Sequence, residues 1–394
     1  MNSIKDIYRI GHGPSSSHTI APSRACAFFK AQHPDVDYVK IRLEGSLALT
    51  ARGHYTDRIV IETMAPIKTD IDFKLQEGES YIIIKGYKNG ELIDTWNCLS
   101  LGGGSIRIDK YNSNDEVDYY QENWFDEINK YIHENNIDVL TYIYNREPDL
   151  KAYLSKSFDV IIDEVERGLS DEGVLCKELK LNCVAKNIFN ESIINNDDEL
   201  KLMAYSYAAN EENAKGHIVV TAPTLGACGV VAAILYYFHH DLKVAKDKLL
   251  DAMAVGGLFG NIIKKNASIS GAIGGCQAEV GTATAMASAM VTWLNGESLN
   301  TCSYAAEIGI EHFLGLTCDP VKGYVIIPCI ERNAVAASRA FNAAKIAKTI
   351  HKFRNNTVSF DAVVKTMKYT GSKLPYELKE TSLGGLAKEV VIDE

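Results

Sequence analysis

Three cysteines stand where a chain would put metal ligands. Cys276 follows Gly274-Gly275 and opens a predicted helix, Cys318 lies in a turn before Asp319-Pro320, and Cys329 opens another helix after Pro328. A helix N-terminus favours the thiolate, the form of cysteine that binds metal. No cysteine follows Cys329, so three thiols without a fourth ligand is an arrangement that needs explaining. The separations of 42 and 11 residues match neither C-x-x-C nor compact ferredoxin patterns. Spacing alone describes three small buried residues equally well.

Two histidines stand in less ordinary settings than the rest. His18 ends Gly13-Pro14-Ser15-Ser16-Ser17-His18-Thr19, a hydroxyl-rich run ahead of a helix start. Unpaired N–H groups and the positive end of a helix dipole make that an anion-binding layout. His54 lies in Gly53-His54-Tyr55-Thr56-Asp57, where Asp57 could orient an imidazole acting as a base. Taken singly, each also reads as a hydrogen-bonded structural histidine. His217, His239, His240 and His312 fall in or beside helical segments and read as structural or surface residues. Lys264-Lys265-Asn266 with Gly274-Gly275 invites a pyridoxal phosphate reading. The strand–helix alternation usual for dehydratases of that kind is missing, so the run reads as a solvated helix end.

The elements that must position these groups fall into two parts. The chain has 394 residues, 46% hydrophobic and 23% charged, enough for two or three domains with full cores. A net charge of −10 argues against nucleic acid or an anionic membrane as the main partner, since phosphate binding needs clustered Lys and Arg. Nine cysteines, no export-type leader and no apolar run of about 18–20 residues predict a soluble, cytoplasmic chain with reduced thiols. Residues 39–43, 58–62 and 81–85 alternate as strands, with a short helix and turn between the first two. Asn89-Gly90 is a hairpin signal, and Gly102-Gly103-Gly104 requires a tight backbone feature. Residues 109–123 read as a polar linker. From 124 onward nearly everything reads as helix: 124–168, 199–215, 225–240, 244–264, 276–295, 299–314, 329–352 and 358–370, with 170–197 less regular. The expected class is α+β, a small N-terminal α+β domain (1–120) followed by a larger all-α helical domain (121–394).

These motifs, together with Ser100-Leu101-Gly102, Thr221-Ala222-Pro223-Thr224, Gly226-Ala227-Cys228-Gly229, Gln277 with Glu279-Val280-Gly281, Pro328-Cys329-Ile330-Glu331-Arg332-Asn333 and Glu380-Thr381-Ser382 with Gly384-Gly385, run in order along nearly the whole chain. In this the chain resembles the iron–sulfur-dependent L-serine dehydratases (L-serine ammonia-lyases), in a single-chain form with fused β and α domains. The resemblance implies a 4Fe–4S cluster on Cys276, Cys318 and Cys329, whose fourth iron acts as a Lewis acid on the serine hydroxyl. It implies His54 as the base for the α-proton. His18, Ser15, Ser16 and Ser17 would hold the carboxylate, and Thr19, Lys265 and Asn266 would complete the substrate contacts. Aminoacrylate would form and hydrolyse to pyruvate and ammonia, in amino-acid degradation and gluconeogenesis. The site would lie at the interdomain cleft of a homodimer. Because the β domain is also similar to a serine-binding regulatory domain of phosphoglycerate dehydrogenases, serine could activate away from the cluster. Alternatives are a related lyase acting on threonine or cysteine, and a non-catalytic serine-sensing protein; retention of the cysteines and both histidines argues against the latter.

The chain departs from the family pattern in three places. Its tail, Lys388 to Glu394, has no cysteine, so water or a tail carboxylate is expected at the fourth iron. Leu225 stands where relatives commonly have Asn. The stretch between Asp57 and Gly102 is shorter and lacks a His-Glu-Asn segment.

Overall fold

The computed structural model describes residues 1–51, 53–75, 78–111 and 117–392. The first part contains β1 (Ile10–His12), α1 (Ile20–Gln32), β2 (Tyr38–Glu44), α2 (Ser46–Leu49), α3 (Thr56–Met64), β3 (Lys68–Lys74), β4 (Tyr81–Lys88), β5 (Glu91–Gly102) and β6 (Ser105–Ile108). The second contains α4 (Phe125–Glu134), α5 (Val139–Arg146), α6 (Leu150–Ser170), β7 (Val174–Cys176), β8 (Leu181–Asn182), α7 (Ala185–Asn195), α8 (Asp198–Ala214), β9 (Ile218–Val220), α9 (Cys228–Tyr236) and α10 (Lys246–Asn266). It continues with α11 (Gly271–Gly274), α12 (Thr282–Leu294), α13 (Leu299–Glu311), α14 (Cys329–Ile350), α15 (Phe360–Lys373) and α16 (Leu386–Glu389). The class is α+β, a small sheet-bearing region followed by a larger helical one.

Period-two burial builds the sheet. Val39, Ile41 and Leu43 of β2 and Ile82 and Ile84 of β4 are buried on one face, under Phe29 of α1 and Val60 and Met64 of α3. The strand order is β3-β2-β4-β5-β6, with β2 and β3 parallel and the remaining pairs antiparallel. Gly86 is small because a Cβ there would stand 2.6 Å from Phe29 Cζ. The expected hairpin joins β4 to β5. Asn89 and Gly90 both have positive φ, 52° and 85°, as a type I′ turn needs. The triple-glycine turn presses on the helical region, where a Cβ on Gly102 would meet Ser270 at 2.6 Å and one on Gly103 would meet Ile269 at 2.7 Å.

Residues 58–62 are not a strand. They form the middle of α3, with Ile59, Val60 and Met64 buried and Ile61 51% exposed. A three-residue β-branched run fits either period, and the one-sided burial here is helical. The parallel strand beside β2 comes instead from Lys68–Lys74, whose charges suit an exposed edge. Within 170–197, α7 is a regular helix after a short β7–β8 hairpin. The stretch 124–168 divides into α4, α5 and most of α6.

The helical region is built around α12, which is buried along nearly its whole length and is flanked by α9, α10, α13 and α14. Three of its hydroxyls bond back along the helix: Thr284, Ser288 and Thr292 donate to the carbonyls of Val280, Thr284 and Ser288 at 2.7 Å. Residues 1–12 pack with this region, since Ile4, Ile7 and Tyr8 belong to its core and β1 pairs antiparallel with β9. No helix among the described residues is long and apolar enough to cross a membrane.

Candidate active site

Three separate joints bring the cysteines to one pocket. Gln277 forms the first. Its backbone N–H donates to Leu316 O at 3.2 Å, its Nε2 donates to Gly274 O at 2.9 Å, and its Oε1 accepts from Gly315 N–H at 3.0 Å. The turn before Cys276 is thereby pinned to the turn before Cys318. In the second joint, Cys318 N–H donates to Leu378 O at 2.8 Å and Glu380 N–H donates to Cys318 O at 2.7 Å, laying the 378–380 segment alongside. In the third, Asn333 Nδ2 ties the first turn of α14 to Gly226 O at 2.8 Å, which fixes Cys329. The pocket so formed is lined by Cys276, Cys318, Cys329, Glu279, Glu380, Ser15, His54, Gly226, Pro320 and Val325.

These three thiols are sulfur donors gathered on one pocket. Burial pushes all three up, Cys276 to about 11, and each thiolate would repel the others. The Arg332 guanidinium opposes this at Cys276 and Cys329 and is itself held by Asp319 Oδ1 at 3.2 Å and Thr317 O at 2.6 Å. A bound metal would draw the thiol protons off outright. Among the described residues, the trio of Cys, His, Asp or Glu ligand atoms lying within 4.8 Å of one another is His18, His54 and Glu380. The three cysteine sulfurs do not form such a trio. Gly271 keeps the wall thin: a Cβ there would stand 2.6 Å from Glu279 Oε2 and 3.1 Å from Cys318 Sγ.

Opposite the thiols is a histidine pair, T-shaped with ring centroids 4.2 Å apart. Both rings are buried. Thr50 stands between them, its Oγ1 2.9 Å from His18 Nε2 and 2.9 Å from His54 Nδ1, and it donates to Ser46 O at 2.9 Å. With the single hydroxyl proton used in that way, Thr50 accepts from His54 Nδ1–H. The network therefore assigns the lone pair of His54 to Nε2, which is buried without a partner and belongs to a ring lining the pocket. His18 donates from Nε2 to Ser46 O at 3.1 Å and accepts at Nδ1 from Ser17 Oγ at 3.1 Å. Burial lowers both rings, His18 to about 4, and His18 lowers His54 further. His54 is thus a neutral imidazole with a free basic nitrogen.

Two carboxylates complete the pocket. Glu279 accepts from Thr224 Oγ1 at 3.0 Å and from Cys318 Sγ at 3.7 Å. Glu380 accepts from Ser15 Oγ at 3.2 Å through Oε1, while its Oε2 is buried without a partner. Burial raises both, and the charge on Glu380 raises Glu279 further.

This constellation can be set beside known proteins. The family model described as serine dehydratase alpha chain matches residues 110–387, and that described as serine dehydratase beta chain matches residues 3–81. The chain belongs to the serine dehydratase family. It is 34% identical to L-serine dehydratase 1 of Escherichia coli (strain K12) over 458 residues, covering 100% of both chains. It is 33% identical to the L-serine dehydratase of Haemophilus influenzae over 457 residues, covering 99% of this chain and 100% of that one. The L-serine dehydratase of Streptomyces coelicolor is 33% identical over 452 residues, with 99% of each covered.

In this serine dehydratase chain the residues singled out by motif have different surroundings. Cys276, Cys318, Cys329, His54 and Ser15 line one pocket, with His18 against His54. Ser17 contacts His18. Ser16 Oγ accepts from Leu225 N–H at 2.9 Å, and Thr19 Oγ1 donates to His12 O at 2.6 Å and Ser15 O at 2.8 Å; these two shape the loop. Lys265 and Asn266 are elsewhere: Lys265 faces Asp118 at 3.7 Å and Asn266 donates to Asn123 O at 2.5 Å, both at the end of α10 against the linker. The expected Asp57 contact is taken by Thr50, since Asp57 Oδ1 accepts from Arg58 N–H at 2.9 Å. The Leu225 side chain packs with Ile20 and Val219. The tail carboxylates Asp393 and Glu394 lie outside the described residues. Thr50, Glu279, Glu380 and Arg332 were given no role from sequence. Thr50 had one local sign, its place four residues before His54 on the same turn of chain, and both carboxylates stood in motifs that carry the family resemblance.

Proposed function

We infer that this chain is an L-serine ammonia-lyase, converting L-serine to pyruvate and ammonia, and that Cys276, Cys318 and Cys329 hold a 4Fe–4S cluster. One observation carries the reading: an unpaired basic nitrogen, His54 Nε2, belongs to a ring in the same closed pocket as three thiols. Three thiols on one pocket support such a cluster, and full-length likeness to L-serine dehydratases supports the substrate. When bound, the cluster supplies a Lewis acid for the departing hydroxyl.

The chain's own residues do the rest. His54 Nε2 takes the α-proton, and its low basicity keeps it unprotonated and ready at neutral pH. Thr50 and His18 fix the ring so that the accepting atom faces the pocket. The Ser15 hydroxyl, which lines the pocket, and the Ser17 hydroxyl beside it turn their protons from Glu380 Oε1 and His18 Nδ1 to the substrate carboxylate. Loss of the α-proton and the β-hydroxyl yields aminoacrylate and water; aminoacrylate tautomerises to the imine, which takes up water to give pyruvate and ammonia. The pocket walls exclude water from the first of these steps.

The test is anaerobic purification followed by an absorption spectrum, iron and sulfide analysis, and a pyruvate assay with L-serine. A broad band near ~400 nm and pyruvate formation are expected. A colourless, iron-free chain that still turns over serine would overturn the cluster assignment; a loaded chain inert to serine would overturn the activity.

A further inference from the structure

The two pocket carboxylates are not equivalent. Both Glu279 oxygens are engaged, by Thr224 Oγ1 and Cys318 Sγ. Glu380 accepts from Ser15 Oγ at 3.2 Å through Oε1, and the Ala272 backbone also favours its charged form. Its Oε2 is buried with no partner, a costly state for a carboxylate oxygen unless something arrives to meet it.

The backbone holds Glu380 in place at some expense. Glu380 and Ser382 both adopt φ of 58°, a left-handed conformation that non-glycine residues seldom take and that persists only where the surroundings enforce it. The enforcement is visible on both sides of the strained pair. Glu380 N–H is bonded to Cys318 O, Ser382 Oγ donates to Pro320 O at 2.8 Å, and Leu386 N–H donates to Asp319 Oδ2 at 2.9 Å. Strain of this kind, with a buried unpaired oxygen at its end, marks a residue kept for a ligand and not for the fold.

Resting on the L-serine reading above, we propose that Glu380 is the residue that recognises the substrate's ammonium group and so makes the site specific for amino acids over hydroxy acids. The substrate brings four things to the pocket: an α-proton, a hydroxyl, a carboxylate and an ammonium. His54 Nε2 serves the first, the cysteine side the second, and the hydroxyls of Ser15 and Ser17 the third. Glu380, the pocket carboxylate with a buried oxygen that has no partner, then remains for the single unassigned cation. Ser15 joins the last two, since its Oγ contacts both Glu380 Oε1 and Ser17 Oγ, so the carboxylate and ammonium subsites are adjacent, as the two groups are on one carbon. A charge-assisted pair in a closed site is strong and directional, and a site built to pair a polar substrate group rejects an analogue without it.

The probe is 3-hydroxypropanoate, which is L-serine with the ammonium replaced by hydrogen. In the loaded enzyme, Glu380→Gln should weaken L-serine ~10–100-fold in KM or in the spectral titration of the cluster, while the inhibition constant for 3-hydroxypropanoate stays within a few-fold. Equal weakening of both, or unchanged serine affinity, overturns the assignment. If E380Q fails to retain iron, Glu380→Asp keeps the charge on a shorter arm. It should weaken serine alone and by less; equal loss of serine and the analogue, or none, overturns the proposal. Turnover of L-serine by the unaltered enzyme is measured first, so failure of the overall reading is seen separately.

Discussion

Thr50→Val isolates one oxygen atom in the relay behind the base. Valine keeps the shape and β-branching of threonine but removes Oγ1, which accepts from His54 Nδ1–H and lies at 2.9 Å from both rings. Among the described residues no other group bonds to Nδ1, and the ring is buried. A buried donor left unpaired costs about 1–3 kcal/mol. The ring can avoid that cost by moving its proton to Nε2, where it no longer accepts, or by rotating away. Either escape withdraws the productive base by a similar energy, and at about 1.4 kcal/mol per tenfold kcat should fall about 10–100-fold. KM should change little, because Thr50 does not line the pocket. With α-deuterated L-serine the isotope effect on kcat should grow, as proton removal becomes more fully rate-limiting. Thr50→Ser retains the oxygen and should recover most of the rate. Wild-type turnover in T50V, or T50S as slow as T50V, would refute the role of the hydroxyl and leave only packing.

Other outcomes follow from the same geometry. His54→Ala should abolish pyruvate formation with iron and sulfide content intact; residual turnover above about 1% of wild type would point to another base. Gly271→Ala puts a methyl group 2.6 Å from Glu279 Oε2 and 3.1 Å from Cys318 Sγ, so the purified variant should show reduced iron and a weaker band near ~400 nm; full loading would show that the wall gives way. Glu211, buried under the start of α7, is raised from 4.5 to about 7 by burial. The folded chain keeps that proton where the unfolded chain has lost it, so this residue lowers stability as pH rises from about 4.5 to about 7. Glu211→Gln should therefore gain about 1–3 kcal/mol on wild type between pH 5 and pH 8, read as the difference in denaturation midpoints; identical pH dependence would refute it.

The fold was legible where a single period ruled. Val39, Ile41 and Leu43 alternate and form a strand, Asn89-Gly90 turns as its residue types demand, and the apolar, Ala-rich α12 is buried on all sides. Arg58–Glu62 was misread because Ile59-Val60-Ile61 satisfies both periods, and only the packing of α3 on the sheet decides between them. Lys68–Lys74 was not found because an exposed edge strand with three charged positions in its first five residues carries little hydrophobic signal. The site was legible as motifs and not as geometry. Cys276 and Cys318 meet because Gln277 bonds to Leu316 and Gly315, a contact no local pattern announces. Thr50 rather than Asp57 holds His54 because the chain turns back through α2, putting the residue four positions earlier under the ring.

The bond between Ser15 Oγ and Glu380 Oε1 spans 365 residues. Contacts of such sequence separation close late, after local helices and short-range pairings have formed. During synthesis the segment that carries Glu380 leaves the ribosome after Cys276, Cys318 and Cys329 have done so, at some 5–20 residues per second. Until it lies down along Cys318, one wall of the pocket is missing and the thiols face outward. The order in which the chain is made therefore leaves an interval in which the pocket is open on one side. The last wall to close is the one that carries Glu380.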